Sequence, residues 1–157
     1  MDLSIIWLLS DKEQDNRATL QSLKAGLLGD EQIILCGTSD QKELISKELP
    51  ASVTLDWIDC AKLENAYEPM KLAVEKVNRD YTTAINGGDT FSEGWMDELR
   101  EAVAAYPNES IFMMKKIMPD GKSGAFSTPK PSQKQVLVSL KDKYHIVPFY
   151  FGGTVIK

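Results

Sequence analysis

The chain has 157 residues, 43% apolar and 26% charged, with a net charge of −5 and a sequence pI near 4.9. That length suits one domain able to bury about 70% of its unfolded surface, so no disulfide or metal staple is required. The acidic balance argues against unspecific nucleic-acid binding, which leans on clustered Lys and Arg. The lone histidine, His145, excludes a three-histidine zinc site or paired-histidine chemistry within one chain.

Cys36 and Cys60 form no CxxC pair, and each lies beside apolar residues, so both read as reduced, buried thiols. The start, "MDLSIIWLLSDKEQ", lacks a basic opening, and its short apolar run meets acids at once, so it reads as a first strand rather than a signal peptide. No run of about 18 apolar residues occurs, so nothing is expected to span a membrane. A cytoplasmic protein is expected.

In chain order, "LSIIWLL" (3–9) is a continuous apolar run suited to a strand buried on both faces of a parallel sheet. Asp15 or Asn16 can cap a helix whose apolar face is Leu20, Leu23 and Leu27, broken by Gly29 and Asp30. "QIILC" (32–36) is a second buried strand. Asp40 with Glu43 makes a capping-box-like start for a helix with Leu44, Ile45 and Leu49 on its buried face. "VTLDWI" (53–58) alternates as a third strand. Pro69 suits the first turn of a helix with Met70, Ala73, Val74 and Val77 on one side. "YTTAI" (81–85) is a fourth strand. Trp95, Leu99, Ala102, Val103 and Tyr106 mark a helix, and "SIFMMKKIM" (110–118) is a fifth strand.

This alternation predicts an α/β fold with a mostly parallel central sheet and helices on both faces. Ligands of such sheets bind beyond the carboxyl ends of the strands. The ends to inspect are Ser10–Asp11, Gly37–Asp40, Asp56–Asp59 and Asn86–Asp89, all polar and all ending on acids. Residues 119–133 hold three prolines and two glycines without apolar periodicity and read as a long loop. Residues 134–157 resume order. Their apolar end, "FYFGGTVIK", is either a terminal strand docked into the sheet or a cut within a longer native chain.

There is no GxSxG, no P-loop, no GxGxxG after the first strand, and no cysteine near a plausible histidine partner. What remains is acid-bearing loops at strand ends, which can hold Mg²⁺ or Mn²⁺ and through it a diphosphate. "INGGD" (85–89) has two further readings. Gly87 and Gly88 can take positive φ and let a ligand approach, with their amides binding an anion. Alternatively the glycines make a tight turn, with Asp89, Thr90 or Ser92 capping the next helix.

The order of elements resembles the nucleotide-binding half of a family 2 glycosyltransferase of GT-A fold. The apolar strand "LSIIWLL" is followed by "TLQSL" (19–23), similar to that family's "tLxSL" helix. "CGTSD" (36–40) matches in part its D-G-S-T-D loop. "INGGDTFSEGWMDEL" stands where a strand ends in D-x-D before a helix opening "pgwL". The likeness spans residues 1–118, with 134–157 as the start of an acceptor-side part of a single, C-terminally truncated domain.

The resemblance implies a Rossmann-like transferase moving a sugar from a nucleotide-sugar donor, foremost a UDP-sugar, to a glycan or lipid-linked acceptor with inversion. It implies donor contacts at Ser10, Asp11, Gly37, Asp40, Asp59, Gly87 and Gly88. It also implies a Mg²⁺ or Mn²⁺ ion on Asn86 and Asp89. Peripheral membrane association stays open. Two of the motifs depart from the pattern. Cys36 replaces the acid that contacts the base, and Asn86 and Gly88 occupy the D-x-D positions. One carboxylate at about 4 Å from a unit charge is worth on the order of 4 kcal/mol at an effective dielectric of about 20, so this is a weaker metal site. A degenerate GT-A domain that binds without catalysis is the competing expectation. A nucleotidyltransferase of similar topology usually has a basic, glycine-rich first loop, whereas "SDKEQDN" is acidic.

Other residues read as structural first. Asp11 is equally a solvated loop acid, Asp40 is a helix cap before it is a ligand contact, and Asp56 is a surface acid. Trp57 and Trp95 are core, and His145 is structural or exposed. After residue 120 the only acid is Asp142, in an exposed-looking turn, so no general base is assigned.

Overall fold

The computed structural model describes residues 1–60, 67–109, 111–113 and 154–157. Its elements are β1 (Leu3–Leu8), α1 (Glu13–Lys24), β2 (Gln32–Gly37), α2 (Ser39–Ser46), β3 (Thr54–Asp59), α3 (Tyr67–Lys76), β4 (Tyr81–Asn86), α4 (Trp95–Ala105), β5 (Ile111–Met113) and β6 (Thr154–Ile156). They form one sheet of order β3-β2-β1-β4-β6-β5. The first four strands in that order are mutually parallel. β6 is antiparallel to both β4 and β5, so β5 runs in the direction of β4.

Alternation along β1 explains the two layers. Leu3, Ile5 and Trp7 point to one face, where they meet Leu20 and Leu23 of α1, Ile45 of α2, and Trp95, Met96 and Leu99 of α4. Ile6 points to the other face, with Ile34, Cys36, Ile58 and Ala84 of the neighbouring strands, and Ala73 of α3 covers them. Strands buried on both faces need apolar residues at successive positions, which is why β1 and β2 read as unbroken runs. The expected α/β fold, mostly parallel and covered by helices on both faces, is the one observed.

Several local expectations are corrected. α1 begins a turn earlier than a cap at Asp15 or Asn16 would allow, with Lys12 at the N-cap. It also ends at Lys24, so Leu27 packs on the core from the following segment. α2 is capped from Thr38, whose backbone N–H donates to Gln41 Oε1 at 2.8 Å, so the box is Thr38–Gln41 rather than Asp40–Glu43. α4 opens from Gly94 in left-handed conformation, not from Asp89, Thr90 or Ser92. On α3, Val74 is exposed, because Met70, Ala73 and Val77 already complete the inward stripe. Of the fifth strand expected over 110–118, Ile111–Met113 is described. Thr154–Ile156 at the apolar chain end forms a strand between β4 and β5. The loop at 119–133, Asp142 and His145 lie outside the described residues.

One buried polar node ties the sheet to α3. Gln32 is fully buried, and its amide donates to Asp56 Oδ2 at 2.7 Å and to the Lys76 carbonyl at 2.8 Å. Its Oε1 accepts from Ser4 Oγ at 2.5 Å and from the Asn78 N–H at 3.1 Å. Asp56, expected as a plain surface acid, is part of this node. Buried amides persist only when satisfied, and here the partners are the end of α3 and two neighbouring strands. Gln32→Leu strands those groups and is expected to lower the unfolding free energy by about 2–3 kcal/mol, read from urea denaturation. An unchanged urea midpoint would contradict the node's role.

Candidate functional site

The sheet order reverses between β1 and β4: from β1 the chain winds outward to β2 and β3, then returns to β4 on the other side. Such a switch point opens a crevice at the carboxyl ends of the two strands, the usual ligand position in open α/β sheets. The segments at this crevice are Ser10–Asp11 after β1 and Asn86–Asp89 after β4.

Three ladder bonds carry the parallel pairing one residue past the strands. The Gly87 N–H donates to Leu8 O at 2.8 Å, Leu9 N–H to Cys36 O at 2.9 Å, and Cys60 N–H to Gly37 O at 2.8 Å. Beyond them α1 takes over. Asn16, 1% exposed, accepts the Ser10 N–H on Oδ1 at 2.8 Å and donates from Nδ2 to the Ser10 carbonyl at 2.7 Å. Gln41 Nε2 donates to the same carbonyl at 2.9 Å, so α2 holds this loop as well. Ser10 Oγ donates to Asp15 Oδ2 at 3.1 Å and accepts the Lys12 N–H at 3.2 Å.

The β4 turn is held equally firmly. Asp89 Oδ2 accepts the Asn86 backbone N–H at 2.9 Å and lies 3.5 Å from Asn86 Nδ2, while the Asp89 N–H returns to Asn86 O at 3.0 Å. Thr19 Oγ1 accepts the Gly88 N–H at 2.9 Å and donates to the Asp89 carbonyl at 2.7 Å. The Gly88 N–H also reaches the Asp15 carbonyl at 3.2 Å.

This accounts for both glycines. A Cβ at Gly87 would strike Asn16 Oδ1 and lie 2.6 Å from the Ser10 nitrogen, so that position must be bare for the turn to seat on the Asn16 clasp. Gly88 has room, with Asp15 Cβ 3.7 Å away, but its φ of +100° is left-handed. The expectation that their amides bind an anion is corrected: both N–H groups are already bonded within the protein.

The remaining expected residues fall around the same edge. Gly37 is buried, and a Cβ there would meet Gln41 Oε1 at 2.5 Å, so it too fits a helix side chain. Asp40 is exposed in the first turn of α2, Asp59 is exposed at the end of β3, and Asp11 is exposed after β1. Topology places all three acids, with Asp15 and Asp89, at the carboxyl edge; Asp56 belongs to the Gln32 node instead. Trp95 is in the core, stacked on Phe91 with centroids 4.2 Å apart. Trp57 packs partly buried against it, with Lys42 Nζ 5.7 Å from its ring centroid.

Sequence reading did not assign Asn16, Thr19 and Gln41 to this site. A signal was available: Asn16 falls four residues before Leu20 on the stripe Asn16–Leu20–Leu23, where an apolar residue is the rule.

Cys36, aligned with a base-contacting acid, is buried under α3, and that burial pushes its thiol up to about 12, with neighbouring Cys60 adding to the shift. Cys60 is half-buried rather than buried, its thiol raised by burial and by Asp59.

No protein-family model matches the sequence, and no curated protein sequence does. Solved structures do. S. aureus TarS 1-349 superposes with a TM-score of 0.63 at 11% identity, over 78% of this chain and 37% of that one. Its complex with UDP-GlcNAc gives 0.60 at 15%, over 73% and 34%. The mannosyltransferase PcManGT from Pyrobaculum calidifontis, in complex with GDP-Man and Mn²⁺, gives 0.59 at 9%, over 73% and 35%. The chain therefore spans roughly a third of the length of these structures. It has the GT-A type of α/β fold, shared with glycosyltransferases that use nucleotide sugars.

Two measurements check this geometry. Gly87→Ala is expected to destabilise by about 2–3 kcal/mol through the clash with Asn16 and Ser10, and Gly88→Ala by about 1–2 kcal/mol through backbone strain, both read from urea midpoints. For the thiols, a folded value above the unfolded one means the stability from burying Cys36 is complete below about pH 8.5 and declines above it. At pH 8 an aromatic disulfide reagent should label Cys60 first, with Cys36 following only on unfolding. Equal rates for both would contradict the burial.

Proposed function

We propose that the chain is the donor-binding part of a nucleotide-sugar-dependent glycosyltransferase. Its parent would transfer a sugar, with inversion, to a glycan or lipid-linked acceptor, in the cytoplasm and with polysaccharide biosynthesis as the setting. The observation that carries this reading is the switch point between β1 and β4, with Ser10 and Asn86–Asp89 at its carboxyl end, in a chain of GT-A fold. Ser10, Asp11, Gly37, Asp40, Asp59, Gly87 and Gly88 would line the donor site, with a UDP-sugar as the first candidate. For Gly87 and Gly88 the contribution is a turn of the right shape rather than free amides.

The acidic edge favours a cation. Asp11, Asp15, Asp40, Asp59 and Asp89 would repel a bare diphosphate, and among the described residues Lys12 and Lys42 are the bases in the adjoining loops and turns. Among the described residues no three His, Cys, Asp or Glu side chains are grouped to hold an ion alone. The residues therefore fit a hard cation that takes most of its ligands from diphosphate and water. Asp89 Oδ1 and the Asn86 side-chain oxygen are the atoms that would hold it, since Asp89 Oδ2 is engaged by the Asn86 N–H. When bound, Mg²⁺ or Mn²⁺ would neutralise the charge developing on the leaving diphosphate. The protein's own part is to keep Asp89 fixed and to shape the crevice.

The second reading, a GT-A domain that binds a partner or glycan without catalysis, is favoured by Gly88, which leaves a single carboxylate in the turn. Calorimetry with UDP and GDP, each with Mn²⁺, separates the two. The transferase reading expects heat that disappears in chelator. Asp89→Asn keeps an oxygen for the Asn86 N–H but loses the charge, so it should weaken binding by about tenfold with little change in stability. Asp89→Ala should lose both binding and stability. No heat with either nucleotide would decide for the binding module, and full binding by Asp89→Asn would remove Asp89 from the cation.

A further inference from the structure

Thr19 lies in the middle of α1 and is fully buried, on the side of the helix that otherwise carries Leu20 and Leu23. It does not bond back to its own helix, the usual fate of a mid-helix threonine. Its hydroxyl crosses to a segment about seventy residues away, accepting the Gly88 N–H at 2.9 Å and donating to the Asp89 carbonyl at 2.7 Å. A hydroxyl has one proton and two lone pairs, so this pair of bonds fixes its rotor: the proton points to Asp89 and a lone pair to Gly88. Other contacts hold the same turn: the Asp89 carboxylate on the Asn86 N–H, the Asp89 N–H on the Asn86 carbonyl, the Gly87 N–H on the Leu8 carbonyl, and Gly87 seated against Asn16. The Gly88 N–H is shared with the Asp15 carbonyl of α1 at the longer distance of 3.2 Å, so Thr19 is its nearer acceptor and the one contact that also holds the Asp89 carbonyl.

We infer that Thr19 is a positioning residue for the donor site: by gripping both sides of the Gly88–Asp89 peptide it holds the Asp89 carboxylate where a cation–diphosphate pair would meet it. This rests on the donor-site reading above. Asp89's side chain can restrain only its own turn, through Asn86. Thr19 ties that turn to α1, and α1 through Asn16 ties it to Ser10 on the other wall of the crevice. A single carboxylate contributes to ion binding only if its position is already set, because a loose group must be ordered at the moment of binding. Valine fills the space of threonine but can neither accept nor donate, whereas serine retains both bonds.

The test is calorimetry of the 157-residue chain with UDP and Mn²⁺, alongside amide exchange by NMR. Thr19→Val is expected to weaken binding by about tenfold, and Thr19→Ser to restore it to within about threefold of wild type. Left with only the 3.2 Å bond to the Asp15 carbonyl, the Gly88 N–H should exchange several-fold faster in Thr19→Val, while the Ile6 and Ile34 amides keep their protection. A purely structural threonine would lower the melting temperature of Thr19→Val and leave the affinity of the folded protein unchanged; that result overturns the inference. If Thr19→Val does not fold, Thr19→Ala takes its place in the titration. In wild type, a Gly88 N–H exchanging at the rate of an unprotected amide overturns the inference without any variant. Absence of heat with the wild-type chain overturns the donor reading, and the positioning role with it. Heat that Thr19→Val leaves unchanged overturns the positioning role alone.

Discussion

The buried amide of Asn16 is the interaction on which the crevice depends. It satisfies both backbone groups of Ser10 at the point where β1 leaves the sheet and its ladder ends. An amide this deeply buried costs about 1–3 kcal/mol if left unpaired, so the loop and the helix stabilise each other or neither keeps its place. The β4 turn then packs on the same side chain, and only a glycine at 87 allows that contact. Both walls of the crevice are thus referred to one residue of α1. The 1–24 segment builds half the site and aligns the other half, which is supplied some seventy residues later.

How much of this was legible depends on the range of the interaction. Periodicity is local, so the strands and helices could be read in order, and the apolar runs of β1 and β2 announced a sheet covered on both faces. Capping was misread where a polar side chain engages a strand-end loop or turn rather than the helix end expected of it. Asn16 looked like an N-cap because asparagine often is one, yet its partner is Ser10. Asp89 looked like a cap or a metal ligand, and its nearer engagement is with Asn86. Asp40 lost the cap of α2 to Thr38 because Gln41, besides bonding the Thr38 N–H, also reaches the Ser10 carbonyl. The insertion of β6 between β4 and β5 had no sequence signal, since pairing order across a sheet is set by contacts that no local pattern records.

The polar residues divide between two ends of the sheet. At the amino-terminal part of β2, the Gln32 node closes on itself: its four bonds use both donors and the acceptor oxygen of the amide, which has nothing left over for a ligand. At the carboxyl edge, backbone groups are satisfied from α1 and α2, while the acids Asp11, Asp40 and Asp59 stay exposed. The first cluster is spent on holding the fold together, whereas the second leaves acids in reach of solvent at the edge where the donor site is proposed.

The "NGGD" turn is best understood as a built geometry rather than an eroded one. Gly88 sits at φ +100°, a conformation that costs an L-residue about 1–2 kcal/mol, so an acid at 88 would have to pull the turn out of shape to supply a second carboxylate. It would also move the N–H that Thr19 holds. The backbone of the turn, the bare Cα at 87 and the buried hydroxyl of Thr19 therefore agree on one arrangement, with a single carboxylate anchored at its rim. Among the described residues no three His, Cys, Asp or Glu side chains are grouped to hold an ion. On the proposed donor reading, a cation there would take most of its ligands from the diphosphate, and affinity would be set by the stiffness of the turn as much as by the charge of Asp89.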